Sequence, residues 1–309
     1  MYLGIDSGGS KTMMVLLNRE GEILHQGQCE GVGRSVDDGS NLLSELTLPL
    51  SNLRDQYGFP MAICVNLGGK NSIQIHRTVT SVFPMAKIHV YRESEGVVPL
   101  FMARREEAEI IVLAGTGAIA LGYSGAGEEA VSGGWGQDIS DEGSGYWVGM
   151  ETIRSILKSV ERETPTLLAG LVLNSIYSRC GTGQLRTAME TRDEIRGKLP
   201  RERGSIAVVS RLTAKAAEMG DAEAERIFAE AGRKLAELTY SCAEALQLDK
   251  TPFRVLLAGG MTNCMGLWEE AYAERLRELC STASYRRSQL QLSYGAALLA
   301  RQLHDKKEE

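Results

Sequence analysis

No two of the six cysteines stand closer than sixteen positions in this 309-residue chain. With no CxxC or CxxxH spacing, a zinc or iron–sulfur site local in sequence is not expected, and six free thiols suit a reducing compartment. No apolar run approaches the roughly 18 residues that mark a membrane-spanning helix. Met1 leads directly into Tyr2-Leu3-Gly4-Ile5, with neither a charged leader nor a cleavable segment, so a cytoplasmic protein is expected. An excess of positive charge is missing too. Against 34 Lys and Arg stand 40 Asp and Glu, net −6, which argues against a nucleic-acid partner. A nucleotide is not excluded, because local backbone groups hold it and net charge does not decide it. What remains is a globular composition, 43% hydrophobic and 24% charged, in a length that suits about two domains.

The first 105 residues alternate β-rich and helical runs, the pattern of an α/β layer architecture. Strands are expected over 1–6, 12–18 and 23–29, the last two joined through Arg19-Glu20-Gly21-Glu22 as an antiparallel meander. A helix within 40–57, a strand over 62–67, a helix within 72–83, a strand over 87–91 and a short helix ending near 105 complete βββαβαβα. At Glu109 the pattern restarts with strands over 110–114, 118–123 and 129–132, a partial internal repeat. Helices follow over 141–160, 167–179, 206–220 and 221–246. In the last of these Ile227, Ala231, Leu235, Leu238 and Cys242 recur at helical spacing. A strand over 253–258, a helix over 267–280, a short strand near 289–292 and a last helix over 295–304 end the chain. The expected domains are 1–105 and 106–309, each opening with a three-stranded antiparallel meander. The second would carry a helical insertion, and the last helix could pack back on the first domain.

Three glycine sites punctuate these strands. Gly4-Ile5-Asp6-Ser7-Gly8-Gly9-Ser10-Lys11-Thr12 comes within one residue of a Walker A loop, but Ser10 parts Gly9 from Lys11 and a β-run follows instead of a helix. Such a segment is either an ordinary hairpin turn or a turn whose successive N–H groups meet phosphate oxygens. The same two readings apply to Ala114-Gly115-Thr116-Gly117. Two such hairpins opening two halves of one chain suggest two loops facing one polyphosphate across a cleft. A third site, Ala258-Gly259-Gly260, ends a strand and precedes a helix, a natural place for nucleotide contact.

These three segments, together with Gly133-Gly134-Trp135-Gly136 and Asp141-Glu142-Gly143-Ser144-Gly145-Tyr146-Trp147, resemble the N-acetylglucosamine kinase and BadF-type ATPase family of the actin-like and sugar-kinase superfamily. Their order and spacing, with Gly220-Asp221-Ala222, extend the resemblance over nearly the whole chain. The resemblance implies two actin-like (ribonuclease H-like) domains closing on ATP and Mg²⁺. Asp6 would hold the metal through water, residues 8–12 and 115–117 the phosphates, and Gly259 and Gly260 would lie near the adenosine. Gly134, Trp135 and Asp141 would fall at or beside a sugar site. From chemistry alone, Trp135 either covers an apolar sugar face or packs in the core, and Asp141 accepts from sugar hydroxyls, caps the following helix, or does both. The resemblance also implies a homodimer.

Departures fall on the acceptor side. The family's catalytic base is an aspartate just after the strand at 87–91, where this chain has Arg92-Glu93-Ser94-Glu95-Gly96. Glu93, one methylene longer, takes that place as general base or is no base at all, with Glu95 the second candidate. Two family asparagines are missing, one in the loop 31–36 and one at Ile119. Arg34 instead offers a charged fork suited to an anionic substrate, or is an unpaired surface arginine. The expected function is ATP-dependent phosphorylation of a sugar or amino-sugar hydroxyl, with a small sugar-like substrate. The alternative is an ATPase whose nucleotide-driven closure acts on a protein partner. Activators built on cysteine-ligated iron–sulfur clusters do not fit the scattered cysteines. A sugar-binding regulator would need a helix-turn-helix extension, which neither end carries.

Overall fold

The computed structural model describes residues 1–7, 11–30, 40–67, 72–92, 108–124, 126–164, 166–177, 188–288 and 291–305. The chain divides into one unit of Met1–Glu107 with Ser288–Glu309 and a second of Ala108–Arg287. In the first, β1 (Tyr2–Ser7), β2 (Lys11–Leu17) and β3 (Ile23–Glu30) form an antiparallel meander. The Asn18 side chain closes the β2–β3 turn by accepting from the Glu22 N–H at 2.7 Å. Then α1 (Ser40–Tyr57), β4 (Ala62–Leu67), α2 (Ser72–Val82) and β5 (Lys87–Arg92) add two parallel strands, with the helices as the crossovers that parallel pairing requires. The sheet order is β3-β2-β1-β4-β5.

This sheet is covered on both faces, so its central strands are near-continuous apolar runs. Leu3, Ile5, Met14, Leu16, Ile63 and Val65 pack with Leu46 and Leu50 of α1 and Val79 of α2. The opposite face takes the last helix, α9 (Leu292–Asp305). Tyr2, Ala62 and Cys64 meet Ala296, Leu299 and Ala300, while Val15 and Leu17 meet Tyr294 and Ala297.

The second unit follows the same path. The meander is β6 (Ile110–Ala114), β7 (Ala118–Tyr123) and β8 (Glu129–Gly133); β9 (Phe253–Ala258) lies parallel on β6 and β10 (Ala283–Arg287) parallel on β9. Read from its other edge the order is β8-β7-β6-β9-β10, strand for strand the order of the first sheet. The internal repeat legible in the glycine turns is thus a repeat of topology, and the architecture is the expected two-sheet, actin-like one. Between β8 and β9 the second unit inserts α3 (Gly145–Glu161), α4 (Leu167–Tyr177), α5 (Ala188–Lys198), α6 (Arg203–Glu218) and α7 (Ala222–Ala245). A 3-10 helix (Gly260–Leu267) and α8 (Glu269–Leu279) connect β9 to β10. On α7 the predicted stripe is buried through Ile227, Ala231, Leu235 and Cys242, with Leu238 only partly covered. Asp221 caps it, accepting from the N–H groups of Glu223 (3.1 Å) and Ala224 (3.0 Å), and its second oxygen accepts from Leu168 N–H (2.8 Å) at the start of α4.

Three elements differ from expectation. The helix predicted from 141 begins at Gly145, because Asp141 and Gly143 sit at φ +77° and +81° and Ser144 is the cap. Helix α5 was not anticipated, since Ile195 is the one buried side chain among its described ones and gives no periodicity. The short strand expected near 289–292 lies earlier, at Ala283–Arg287, and Leu292 already begins α9. As an edge strand β10 presents only Ala283 and Tyr285 to the core, leaving a polar sequence. The short helix expected to end near 105 lies outside the described residues. Among those described, no helix is long and apolar enough to cross a membrane.

Candidate active site

The Gly115-Thr116-Gly117 turn joins β6 to β7, and its carbonyls are engaged by the start of α3. Gly145 N–H donates to Gly115 O at 2.8 Å and Tyr146 N–H to Thr116 O at 3.2 Å, while Ser144 Oγ accepts from Trp147 N–H. The first donors of a helix need acceptors outside it, and here the turn supplies two. Gly115 N–H donates to Gly117 O at 2.8 Å, whereas the N–H groups of Thr116 and Gly117 donate to no described residue. Those two donors are free for an anion. Gly259 closes the turn from behind: at φ +97°, a Cβ there would stand 2.7 Å from the Ala114 carbonyl carbon, so only glycine fits. Gly260 N lies 3.9 Å from where a Gly115 Cβ would be. The second and third glycine sites are therefore one site.

Asp141 lies beside this turn, 1% exposed. Its Oδ1 accepts from Ala118 N–H at 3.1 Å, and its Oδ2 pairs with Arg203 Nη2 at 2.5 Å. The helix-cap role open to Asp141 belongs to Ser144 instead. A sugar hydroxyl offered to Asp141 meets a carboxylate whose two oxygens are already engaged.

Gly134 N–H donates to Ala118 O at 3.0 Å, which fixes the backbone leading to Trp135. Trp135 is 75% exposed, so core packing is not its role. It lines a cavity of about 330 Å³ with Ala118, Ile139, Glu142, Lys234 and Glu237 among its walls. That volume is at the lower end of small-molecule sites, and an aromatic face among charged groups suits a compact polar ligand with one apolar side. Ala118 belongs both to this cavity and to the hydrogen bonds that hold Asp141 and Gly134.

In the first unit Asp6 is the penultimate residue of β1, opposite Met13 on β2 and Asn66 on β4. Asn66 Nδ2 donates to Asp6 Oδ1 at 2.9 Å. Burial pushes the Asp6 carboxyl above its usual range, against the Asn66 hydrogen bond and the Lys11 charge, which hold it down. Among the described residues, the buried Ser7 Oγ and Asn66 Oδ1 have no hydrogen-bond partner. A desolvated carboxylate beside unpartnered oxygens fits Mg²⁺, which takes hard oxygen ligands and completes its sphere with phosphates and water. Lys11 is exposed and Thr12 buried at the start of β2.

Residues 3–300 match the BadF/BadG/BcrA/BcrD ATPase family. The chain belongs to that family. Over 270 residues, 84% of this chain and 85% of its relative, it is 30% identical to the N-acetylmuramic acid/N-acetylglucosamine kinase of Clostridium acetobutylicum. It is 25% identical over 318 residues to the N-acetyl-D-glucosamine kinase of Dictyostelium discoideum, covering 97% of each. A ROK family glucokinase from Streptomyces griseus, solved with glucose and AMPPNP, shares the fold with a TM-score of 0.60 at 15% identity, over 97% of this chain and 99% of that one.

Against the BadF/BadG/BcrA/BcrD pattern, the structure brings Gly115, Thr116, Gly117, Gly259, Gly260, Gly134, Trp135 and Asp141 together in the second unit. Asp6, Lys11 and Thr12 stand together in the first. Gly8, Gly9, Ser10, Arg34 and both base candidates, Glu93 and Glu95, lie outside the described residues. Sequence reasoning missed Arg203. It follows Arg201-Glu202 at the start of α6, 62 positions from its partner Asp141, and belongs to no spaced motif. Asn66 was missed for the same reason: a lone asparagine at the end of an apolar strand gives no signal until β4 pairs with β1.

Proposed function

We propose that this member of the BadF/BadG/BcrA/BcrD family is an ATP-dependent kinase of a sugar or amino-sugar hydroxyl. The observation that carries the reading is the adjacency, through Ala118, of a turn with two free N–H donors and an open cavity walled by an exposed tryptophan. An anion-binding turn alone suits any ATPase; a ligand cavity beginning one residue later suits transfer to a small acceptor. The kinases of Clostridium acetobutylicum and Dictyostelium discoideum named above support the same assignment.

In this reading Thr116 and Gly117 N–H bind phosphate oxygens, with Gly259 and Gly260 at the nucleoside side. Residues 8–12 serve the phosphates from the first unit. Trp135 covers the apolar face of the sugar, Gly134 fixes its approach, and Arg34 meets an anionic substituent. Asp6 holds Mg²⁺, which when bound neutralises phosphate charge. Glu93 accepts the proton of the attacking hydroxyl as the new O–P bond forms and ADP leaves. A homodimer and a cytoplasmic site of action complete the reading, on the family resemblance and on the composition.

The test is ADP release by the purified protein with ATP and Mg²⁺, alone and with N-acetylglucosamine, N-acetylmuramic acid, glucosamine or glucose. Stimulation by one acceptor, abolished in Glu93→Gln with ATP binding retained, is the expected result. ADP release indifferent to every acceptor would overturn the kinase in favour of an ATPase acting on a protein partner.

A further inference from the structure

We infer that Arg203 is a phosphate-contacting residue of the nucleotide site and that Asp141 is the positioning residue that holds it there. The inference deepens the kinase reading and rests on it. Arg203 opens α6 with its side chain 42% exposed, yet its Nη2 is tied to a carboxylate only 2% exposed. That carboxylate is itself anchored to the backbone through Ala118 N–H. The guanidinium has five N–H donors in a fixed fork; among the described residues Asp141 is the acceptor it meets, and the side chain as a whole stays 42% exposed.

The placement matters more than the pairing. A Cβ on Gly117 would fall on Arg203 Nη2 and 2.6 Å from Asp141 Oδ1, so glycine at 117 is what lets the ion pair lie against the turn. The guanidinium, neutralised by Asp141 but with donors beyond Nη2, and the free N–H groups of Thr116 and Gly117 thus belong to one small region rich in hydrogen-bond donors. A planar fork beside backbone donors is the arrangement that recognises a phosphate oxygen pair. The strained φ of +77° at Asp141 fits a residue held for its side chain. Asp141 accepts both hydrogen bonds at once, and so sets the distance from the guanidinium to the turn.

The experiment measures binding of MgADP and of the magnesium complex of a non-hydrolysable ATP analogue to the full chain by calorimetry, with KM for ATP and for the stimulating acceptor alongside. Arg203→Gln is expected to weaken nucleotide binding roughly 10- to 100-fold, the range for loss of a charge-assisted hydrogen bond. The acceptor KM should change little, and Arg203→Lys should recover part of the loss. Asp141→Asn keeps the acceptor for Ala118 N–H, tolerates the backbone and releases Arg203, so it should weaken nucleotide in the same direction. If either single variant is unstable, the double variant Asp141→Asn with Arg203→Gln leaves no unpaired charge, and it should melt normally while still binding nucleotide weakly. Wild-type nucleotide affinity in a folded Arg203→Gln or in the double variant overturns the inference alone. A loss confined to KM for an acidic sugar overturns it in favour of an acceptor contact. A wild-type protein that binds no nucleotide overturns the kinase reading and this inference together.

Discussion

Asp221 ties two helices of the second unit together, and its removal can be worked out bond by bond. In Asp221→Ala the cap of α7 is lost, a change that typically costs about 1 kcal/mol. Leu168 N–H, at the buried start of α4, is then left without an acceptor, which costs roughly 1–3 kcal/mol more. The sum, about 2–4 kcal/mol, corresponds to a fall in Tm of about 5–15 °C for a unit of this size. Asp221→Asn separates the two parts: its amide oxygen can serve the α7 donors or Leu168 N–H but not both, so the cost falls between wild type and alanine. All three tryptophans, 135, 147 and 268, lie in the second unit, so their fluorescence follows that unit through urea or heat. A loss below about 0.5 kcal/mol in Asp221→Ala, the range of an ordinary surface change, would refute the reasoning. Water would then be replacing the carboxylate at both helices.

Two other residues give opposite signatures. Asp6 binds its proton more tightly in the native state than in the unfolded chain, so its ionisation costs stability as pH rises from the ordinary value near 3.8 through the raised one. Ligand-free Asp6→Asn should therefore melt above wild type at pH 8, with the gap closing as pH falls toward 3.8, while turnover with MgATP is abolished. Equal melting curves at pH 8 would refute the raised proton affinity of the buried carboxyl, and retained turnover would sink the metal assignment. Trp135→Ala, at a side chain 75% exposed, should shift stability by no more than about 0.5 kcal/mol. Its acceptor KM should rise several-fold while the ATP KM holds; a denaturation midpoint that drops sharply instead would mean that the ring is packed.

How much was legible in the sequence depended on whether the signal was local. The meanders were legible because apolar runs such as Leu3-Gly4-Ile5 and Ile110–Ala114 break at glycine turns, and the twofold repeat followed from seeing that break twice. The third glycine site was visible as a strand end, but its closure onto Ala114 was not, because β9 reaches β6 across the whole helical insertion. Asp141 was visible as part of a motif that left sugar contact and helix capping both open; that the cap falls to Ser144 was not legible, because the positive φ of Asp141 has no sequence signature outside glycine. Arg203 and Asn66 act through partners that only the fold brings near. Strand β10 was misplaced by a few residues because an edge strand needs little apolar sequence.

The last helix gives the order of synthesis a consequence for folding. Leu292–Asp305 covers the face of the first sheet formed by Tyr2, Ala62, Cys64, Val15 and Leu17, yet Ala108–Arg287 must be translated before it exists. At roughly 5–20 residues per second, that face waits on the order of ten to forty seconds on the ribosome. The amino-terminal unit is thus the first part made and the last part finished. Any truncation upstream of α9 leaves a sticky apolar sheet for chaperones to guard, in a protein whose other half is free to fold on time.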